Sequence, residues 1–152
     1  MNARAMVVPV PGVATEALPW IPAATPGKWA RPLRFLGDRG FVELLRMTPG
    51  TVMPLHRHTG EVHVYQLAGQ RHLGSGEVLG PGDYVYEPAG NVDWWEAVGE
   101  EDLLALAVVI GTVEFLGPGG EVCGRADVHG QRADYVRHCR AHRLPLHDLT
   151  VP

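Results

Sequence analysis

The chain has 152 residues, 45% of them hydrophobic and 20% charged, with a formal net charge of −4. That length suits one domain with a single sizeable core, and the balance is that of an ordinary soluble globular protein. No Lys/Arg cluster is present to neutralise a phosphate backbone, which argues against a nucleic-acid partner, and no stretch approaches the ~18 apolar residues of a membrane span.

With 19 glycines and 13 prolines, turns are frequent, which favours short strands over long helices. Cys123 and Cys139 make no disulfide framework and read as free thiols in a reducing compartment. The apolar run within residues 1–11 is too short, and too broken by Pro9 and Pro11, for a signal-peptide core. A cytoplasmic protein is expected.

Residues 1–32 are rich in Pro and Ala. Prolines cannot donate to a ladder, so this reads as an extended arm or edge segment, anchored by Trp20 and Trp29. Residues 33–37 and 41–47 read as strands around a turn. Pro49-Gly50 turns the chain into a strand through His56 and His58, and Thr59-Gly60 bends it. Residues 61–67, rich in Val and Tyr, form the cleanest strand. A short hairpin over 70–79 leads to a tight turn at 80–82. The strand over 83–87 has Tyr84 and Tyr86 on one face and Val85 on the other, and another strand occupies 92–98. The almost unbroken apolar run over 103–110 suits a strand buried on both faces. Residues 112–116 come next, then a loop with room for one edge strand over 117–128. The helix candidate spans 131–143, with Tyr135, Val136 and Cys139 as its apolar stripe and Pro145 as its stop. Short strands bounded by Gly or Pro predict an all-β sandwich or barrel. We divide the chain into an arm over 1–32, a barrel over 33–118 and an extension with the helix over 119–152, all within one domain.

His56 and His58 alternate, so on a strand they share a face. Two imidazoles there can share one metal ion at about 2.0–2.1 Å each, and a third ligand must then come from another strand. The turn at Pro88 to Gly90, followed by Asp93, is where that ligand is sought. Two His and one carboxylate with open positions form the facial triad of non-haem Fe(II) oxygenases. Val62, Val64 and Gln66 share a face. If that face is interior, Gln66 turns toward the site while Glu61 and His63 turn away. A slip of one residue would reverse this, which keeps Glu61 and His63 as reserve ligands. Alternation puts Trp95 on the Asp93 face, as a candidate pocket wall, and Tyr84 or Tyr86 is a candidate pocket phenol. His129, His138, His142 and His147 lack a coherent set of four ligands with Cys139 and read as a solvated helix end.

The layout resembles the cupin family. Gly50, His56, His58 and Gly69 fit the spacing of its first motif, and Gly82, Pro88 and Gly90 that of its second. Val62 stands at the first motif's acid position and Asp93 at the second motif's histidine position. The resemblance implies a double-sheet jelly-roll barrel. Within cupins the sequence is similar to the 2,4'-dihydroxyacetophenone dioxygenase family. The similarity lies in Leu18-Pro19-Trp20, Leu44-Leu45-Arg46, the stretch from His56 to Tyr65, and Tyr84 to Gly90. That family implies non-haem iron and cleavage of an aromatic hydroxyketone by dioxygen, and it also places a hydrophobic residue where Val62 stands. Family habit points to a homodimer, with the arm docked on the second subunit.

Three functions are expected on these grounds. The first is an iron-dependent, dioxygenase-like enzyme on an enolisable aromatic ketone or similar small molecule, with His56, His58 and Asp93 holding Fe(II). The second is a redox-neutral metal-dependent cyclase or isomerase on a polyketide-like compound. The third is a non-catalytic ligand-binding cupin with a degenerate site. Zn(II), Mn(II) and Ni(II) remain alternatives to iron, because geometry rather than the residue list selects the metal.

Overall fold

A computed structural model describes residues 12–152, so the first part of the arm, with its apolar run, lies outside the described residues. A 3-10 turn at Thr15–Ala17 precedes the strands β1 (Ile21–Pro22), β2 (Lys28–Leu36), β3 (Gly40–Met47), β4 (Val52–His58) and β5 (Val62–Ala68). Next come β6 (Gln70–Leu73), β7 (Val78–Leu79), β8 (Tyr84–Glu87), β9 (Val92–Val98), β10 (Leu103–Ile110), β11 (Val113–Leu116) and β12 (Val122–Ala126). The helix α1 (Val128–Ala141) and the short strand β13 (Thr150–Val151) end the chain. No helix among the described residues is long and apolar enough to cross a membrane.

Two sheets face each other. One runs β1-β2-β3-β10-β5-β8, with β13 joining β2 in parallel, and the other runs β12-β11-β4-β9-β6-β7. All other pairings are antiparallel, as in a jelly-roll barrel. Period-two alternation fills the space between the sheets. β10 is central in its sheet and buries Leu103, Ala105, Ala107 and Val109, while the residues between them are half-buried. Its apolar outer face is therefore less deeply covered than the sequence suggests.

The sheet takes in residues 28–32, which their proline content assigns to the arm. Pro32 sits where the β2–β3 register shifts, so its missing N–H breaks no regular ladder. Trp20 and Trp29 do fasten this segment. The Arg46 guanidinium lies 5.0 Å from the Trp20 ring and 4.5 Å from the Trp29 ring, and Arg31 lies 4.6 Å from Trp20. The helix starts three residues earlier than its apolar stripe suggests. Asp127 caps it by accepting from the Gly130 amide at 2.8 Å, and α1 buries Val128, Tyr135 and Cys139.

One of the turns that join the two sheets lies against the histidine strand. β8 belongs to the first sheet and β9 to the second, and residues 88–91 carry the chain between them. Asn91 N donates to Pro88 O at 3.1 Å, with Gly90 at φ +86°, as a type II turn requires of its third residue. No atom lies within 4 Å of the place a Gly90 Cβ would occupy, so substitution there carries only the cost of the backbone conformation. Gly90→Ala should lower stability by about 1 kcal/mol, read as a shift in urea midpoint. An unchanged midpoint would mean that the turn relaxes freely.

Candidate metal centre

β4 carries both histidines on its inner face. His56 and His58 are 2% and 5% exposed, and their rings stand edge to face with centroids 4.8 Å apart. His56 lies opposite Phe115 on one side and Asp93 on the other, and His58 lies opposite Val113. The third group comes from the other sheet. β8 turns Tyr84 and Tyr86 outward and Val85 and Glu87 inward, and Glu87 is its last residue before the turn. Ligand atoms of His56, His58 and Glu87 all lie within 4.8 Å of one another and could hold a metal ion.

Each group is oriented by a neighbour. His56 Nδ1 is 2.7 Å from the Pro54 carbonyl oxygen. A carbonyl only accepts, so Nδ1 keeps the proton and the neutral ring presents its Nε2 lone pair. His58 Nε2 is 3.6 Å from Glu87 Oε2, and His58 Nδ1 is buried without a hydrogen-bond partner. Burial pushes His56 below the ordinary range, opposed by the Pro54 carbonyl and by Asp93. Burial, then His56 itself, push His58 down to about 4. Both rings are therefore neutral at pH 7 and able to ligate. Asn91 Nδ2 donates to Glu87 Oε1 at 3.1 Å across the turn. Burial pushes the Glu87 carboxyl up, while Arg71 and Asn91 favour its charged form. An orphaned buried nitrogen, two neutral imidazoles and a carboxylate together fit a divalent transition metal.

The three residues border a cavity of about 80 Å³ that extends past Met53, Val64 and Trp95 to Lys28 and Glu43. That volume holds several waters or a small organic molecule. Arg71 and Glu87 line both this cavity and a surface bowl of about 530 Å³. On the other side, Lys28, Glu43, Phe115, Ala126 and Gln131 line both the cavity and a groove against β1 and α1. Lys28 Nζ donates to Met53 Sδ at 3.6 Å. Burial pushes Glu43 up to about 7 against the pull of Lys28, and burial lowers Lys28 against the pull of Glu43.

The remaining candidate residues occupy varied places. Asp93 is half-buried opposite His56, and its Oδ1 accepts from the amides of Trp94 at 2.8 Å and Gly74 at 3.2 Å. It is not among the atoms grouped within 4.8 Å, since its carboxylate is one bond shorter than that of Glu and is held by backbone. A methyl on Gly74 would lie 2.6 Å from that oxygen, so the Asp93 carboxylate would have to shift to admit one. Trp95 is 5% exposed and lines the cavity. Gln66 faces inward, but its amide donates to the Gly69 and Leu79 carbonyls at 2.7 and 3.1 Å, so it ties strand ends rather than the histidines. Glu61 and His63 face outward, 3.5 Å apart, and His63 bonds the Tyr84 hydroxyl. Tyr84 and Tyr86 are 57% and 52% exposed on that outer face, although Tyr86 also rims the bowl. In the tail, His129 pairs with Asp38 at 3.7 Å, and His138 stacks on His142.

Glu87 and Arg71, which also border the cavity, are not among the residues singled out from the sequence. For Glu87 a signal exists: it alternates with Val85 and so shares the face opposite Tyr84 and Tyr86. For Arg71 there is none, because a lone Arg in a four-residue strand reads as surface.

Two facing antiparallel sheets around an inward His-x-His define a cupin. Residues 11–113 match the family described as the ChrR cupin-like domain, and the chain belongs to that family. No curated protein sequence matches it. Among solved structures it is similar to an RmlC-like cupin protein from Ralstonia eutropha JMP134, with a TM-score of 0.89 and 24% identity over 95% of this chain and 96% of the other. It is also similar to an acetylacetone dioxygenase from Acinetobacter johnsonii, with a TM-score of 0.70 and 13% identity over 90% and 97%. A third is the polyketide cyclase RemF from Streptomyces resistomycificus, with a TM-score of 0.59 and 20% identity over 84% and 96%. At these identities the likenesses establish the fold.

Glu43 has a folded-state value of about 7, above its ordinary 4.5. A raised carboxyl contributes stability fully below the unfolded value and loses that contribution as pH rises through the folded one. The wild type should therefore lose stability relative to Glu43→Gln between pH 5 and pH 8. Thermal midpoints of the two proteins at both pH values check this, and a constant difference would refute it.

Proposed function

We propose that this chain is a metal-dependent cupin enzyme that acts on a small enolisable ketone, with a dioxygenase-like reaction using iron. The observation that carries this reading is the convergence of His56, His58 and Glu87 at a mostly apolar cavity. In support, one similar structure is an acetylacetone dioxygenase, and the sequence resembles a family that cleaves aromatic hydroxyketones.

In this reading Nε2 of His56, an imidazole nitrogen of His58 and a Glu87 oxygen hold the ion. A divalent metal so held supplies Lewis acidity toward a substrate oxygen and, as iron, redox chemistry with dioxygen. The chain's own residues do the rest. Val62, Val64, Trp95 and Phe115 exclude water. Glu43, poised near neutrality and lining the same cavity, accepts a proton from the carbon beside the ketone. Asn91 holds Glu87 in place, and the Pro54 carbonyl holds the His56 tautomer. The two free thiols, Cys123 exposed and Cys139 buried, suit a reducing cytoplasm.

The likeness to a polyketide cyclase supports a second reading, a redox-neutral cyclase or isomerase using the same ligands. Turnover of an enolisable ketone by the Fe(II) protein should consume dioxygen and stop under strict anaerobiosis. Persistence without dioxygen, with Zn(II) bound, would select the cyclase or isomerase.

Ligand variants test the centre itself. His56→Ala should abolish metal retention after anaerobic Fe(II) loading, and Glu87→Gln should lower metal affinity about tenfold or more, read by elemental analysis and chelator competition. Asp93→Asn should retain the ion. Equal loss in Asp93→Asn, with retention in Glu87→Gln, would move the third ligand to Asp93.

A further inference from the structure

Arg71 is a charged residue whose side chain has no hydrogen-bonded or ion-paired partner among the described residues. It is 3% exposed, on the inner face of β6, and its Nε is buried with no hydrogen bond. Among the described residues no side-chain hydrogen bond or ion pair reaches its guanidinium. Its guanidinium carbon lies over the face of Trp95, 4.9 Å from the ring centroid. Glu87 and Asp93 act on it only through space. A guanidinium has five donors in a planar fork, so a buried one with none engaged by side chains is costly unless something else engages it. Its position names that something. Arg71 lines both the cavity that the candidate metal centre borders and the open bowl, as Glu87 does. The other cation of the cavity, Lys28, does not line the bowl and has Glu43 as a counter-charge.

We propose that Arg71 determines substrate specificity by receiving a carboxylate, so that the substrate is a small keto acid rather than a neutral diketone. This rests on the metal-dependent reading above. The substrate's ketone faces His56, His58 and Glu87, while its carboxylate takes the guanidinium fork that lies over Trp95. A neutral diketone fills the same volume but leaves the guanidinium unpaired. Charge-assisted hydrogen bonds of this kind favour the acid by about 10- to 100-fold in affinity.

The test uses two isosteric probes, 3-oxobutanoate and pentane-2,4-dione, titrated calorimetrically into the full chain loaded with Zn(II), which prevents turnover with dioxygen. Wild type should bind the keto acid at least about tenfold more tightly. Arg71→Gln should abolish that preference while keeping its affinity for the diketone. Arg71→Lys keeps the charge but loses the fork, and serves if the Gln variant fails to fold; its preference should also fall. Lys28→Met should keep the wild-type preference. Equal binding of both probes by wild type, or a preference that survives in Arg71→Lys and Arg71→Gln, overturns the assignment and leaves the metal-dependent reading intact. Loss of preference in Lys28→Met alone moves the carboxylate to Lys28 and also overturns it. Binding of neither probe overturns both the assignment and the ketone reading.

Discussion

The crossing from β8 to β9 holds the site together. Ligands on different sheets depend on the connections that carry the chain between those sheets, and this is the connection that carries Glu87. Here that passage is a four-residue turn. Glu87 stands at its entrance and Asp93 shortly beyond its exit, and the Asn91 amide spans it to grip Glu87. The amide of Gly90 and the carbonyl of Asn91 also pair with the backbone of His58, which ties the turn to β4. The distance from Glu87 to the histidines is thus set by backbone hydrogen bonds rather than by flexible side chains.

Electrostatics around this crossing derive from burial. The cavity brings together two cations, Lys28 and Arg71, and two carboxyl groups, Glu43 and Glu87, with no ion pair closing among the four. Such an arrangement is unfavourable in an apolar interior and persists because the charges compensate at a distance. Lys28 and Arg71 both work against protonation of His56. The two cations of the cavity thereby help to keep a nearby imidazole neutral and available.

Much of the architecture is legible in the sequence because period-two alternation is a local signal. The strand through His56 and His58, the inward face of Val62, Val64 and Gln66, and the opposed faces of Tyr84 and Val85 all derive from it. The edge strand expected within 117–128 is β12, at the border of its sheet. Other features depend on contacts far apart in sequence. Pro32 reads as arm, yet a register shift admits it to the sheet. The start of α1 is set by Asp127, outside the apolar stripe that marks the helix. At the site, the histidine pair declares itself through spacing, whereas alternation gives only the inward face of Glu87, and its nearness to the histidines depends on β8 and β4 facing each other across the barrel. Arg71 is the hardest case, since only the structure distinguishes a buried guanidinium from a solvated one.

The contact between His56 and the Pro54 carbonyl has a bearing on how this protein can change over time. The group that fixes the imidazole's proton is main chain, two residues away on the same strand. No single substitution can delete it, because every amino acid carries that carbonyl. A ligand steadied by an Asp or Asn can lose its support by one mutation. His56 keeps its support as long as β4 keeps its path, so neighbouring positions are free to drift and the cavity can acquire new linings without first dismantling its centre.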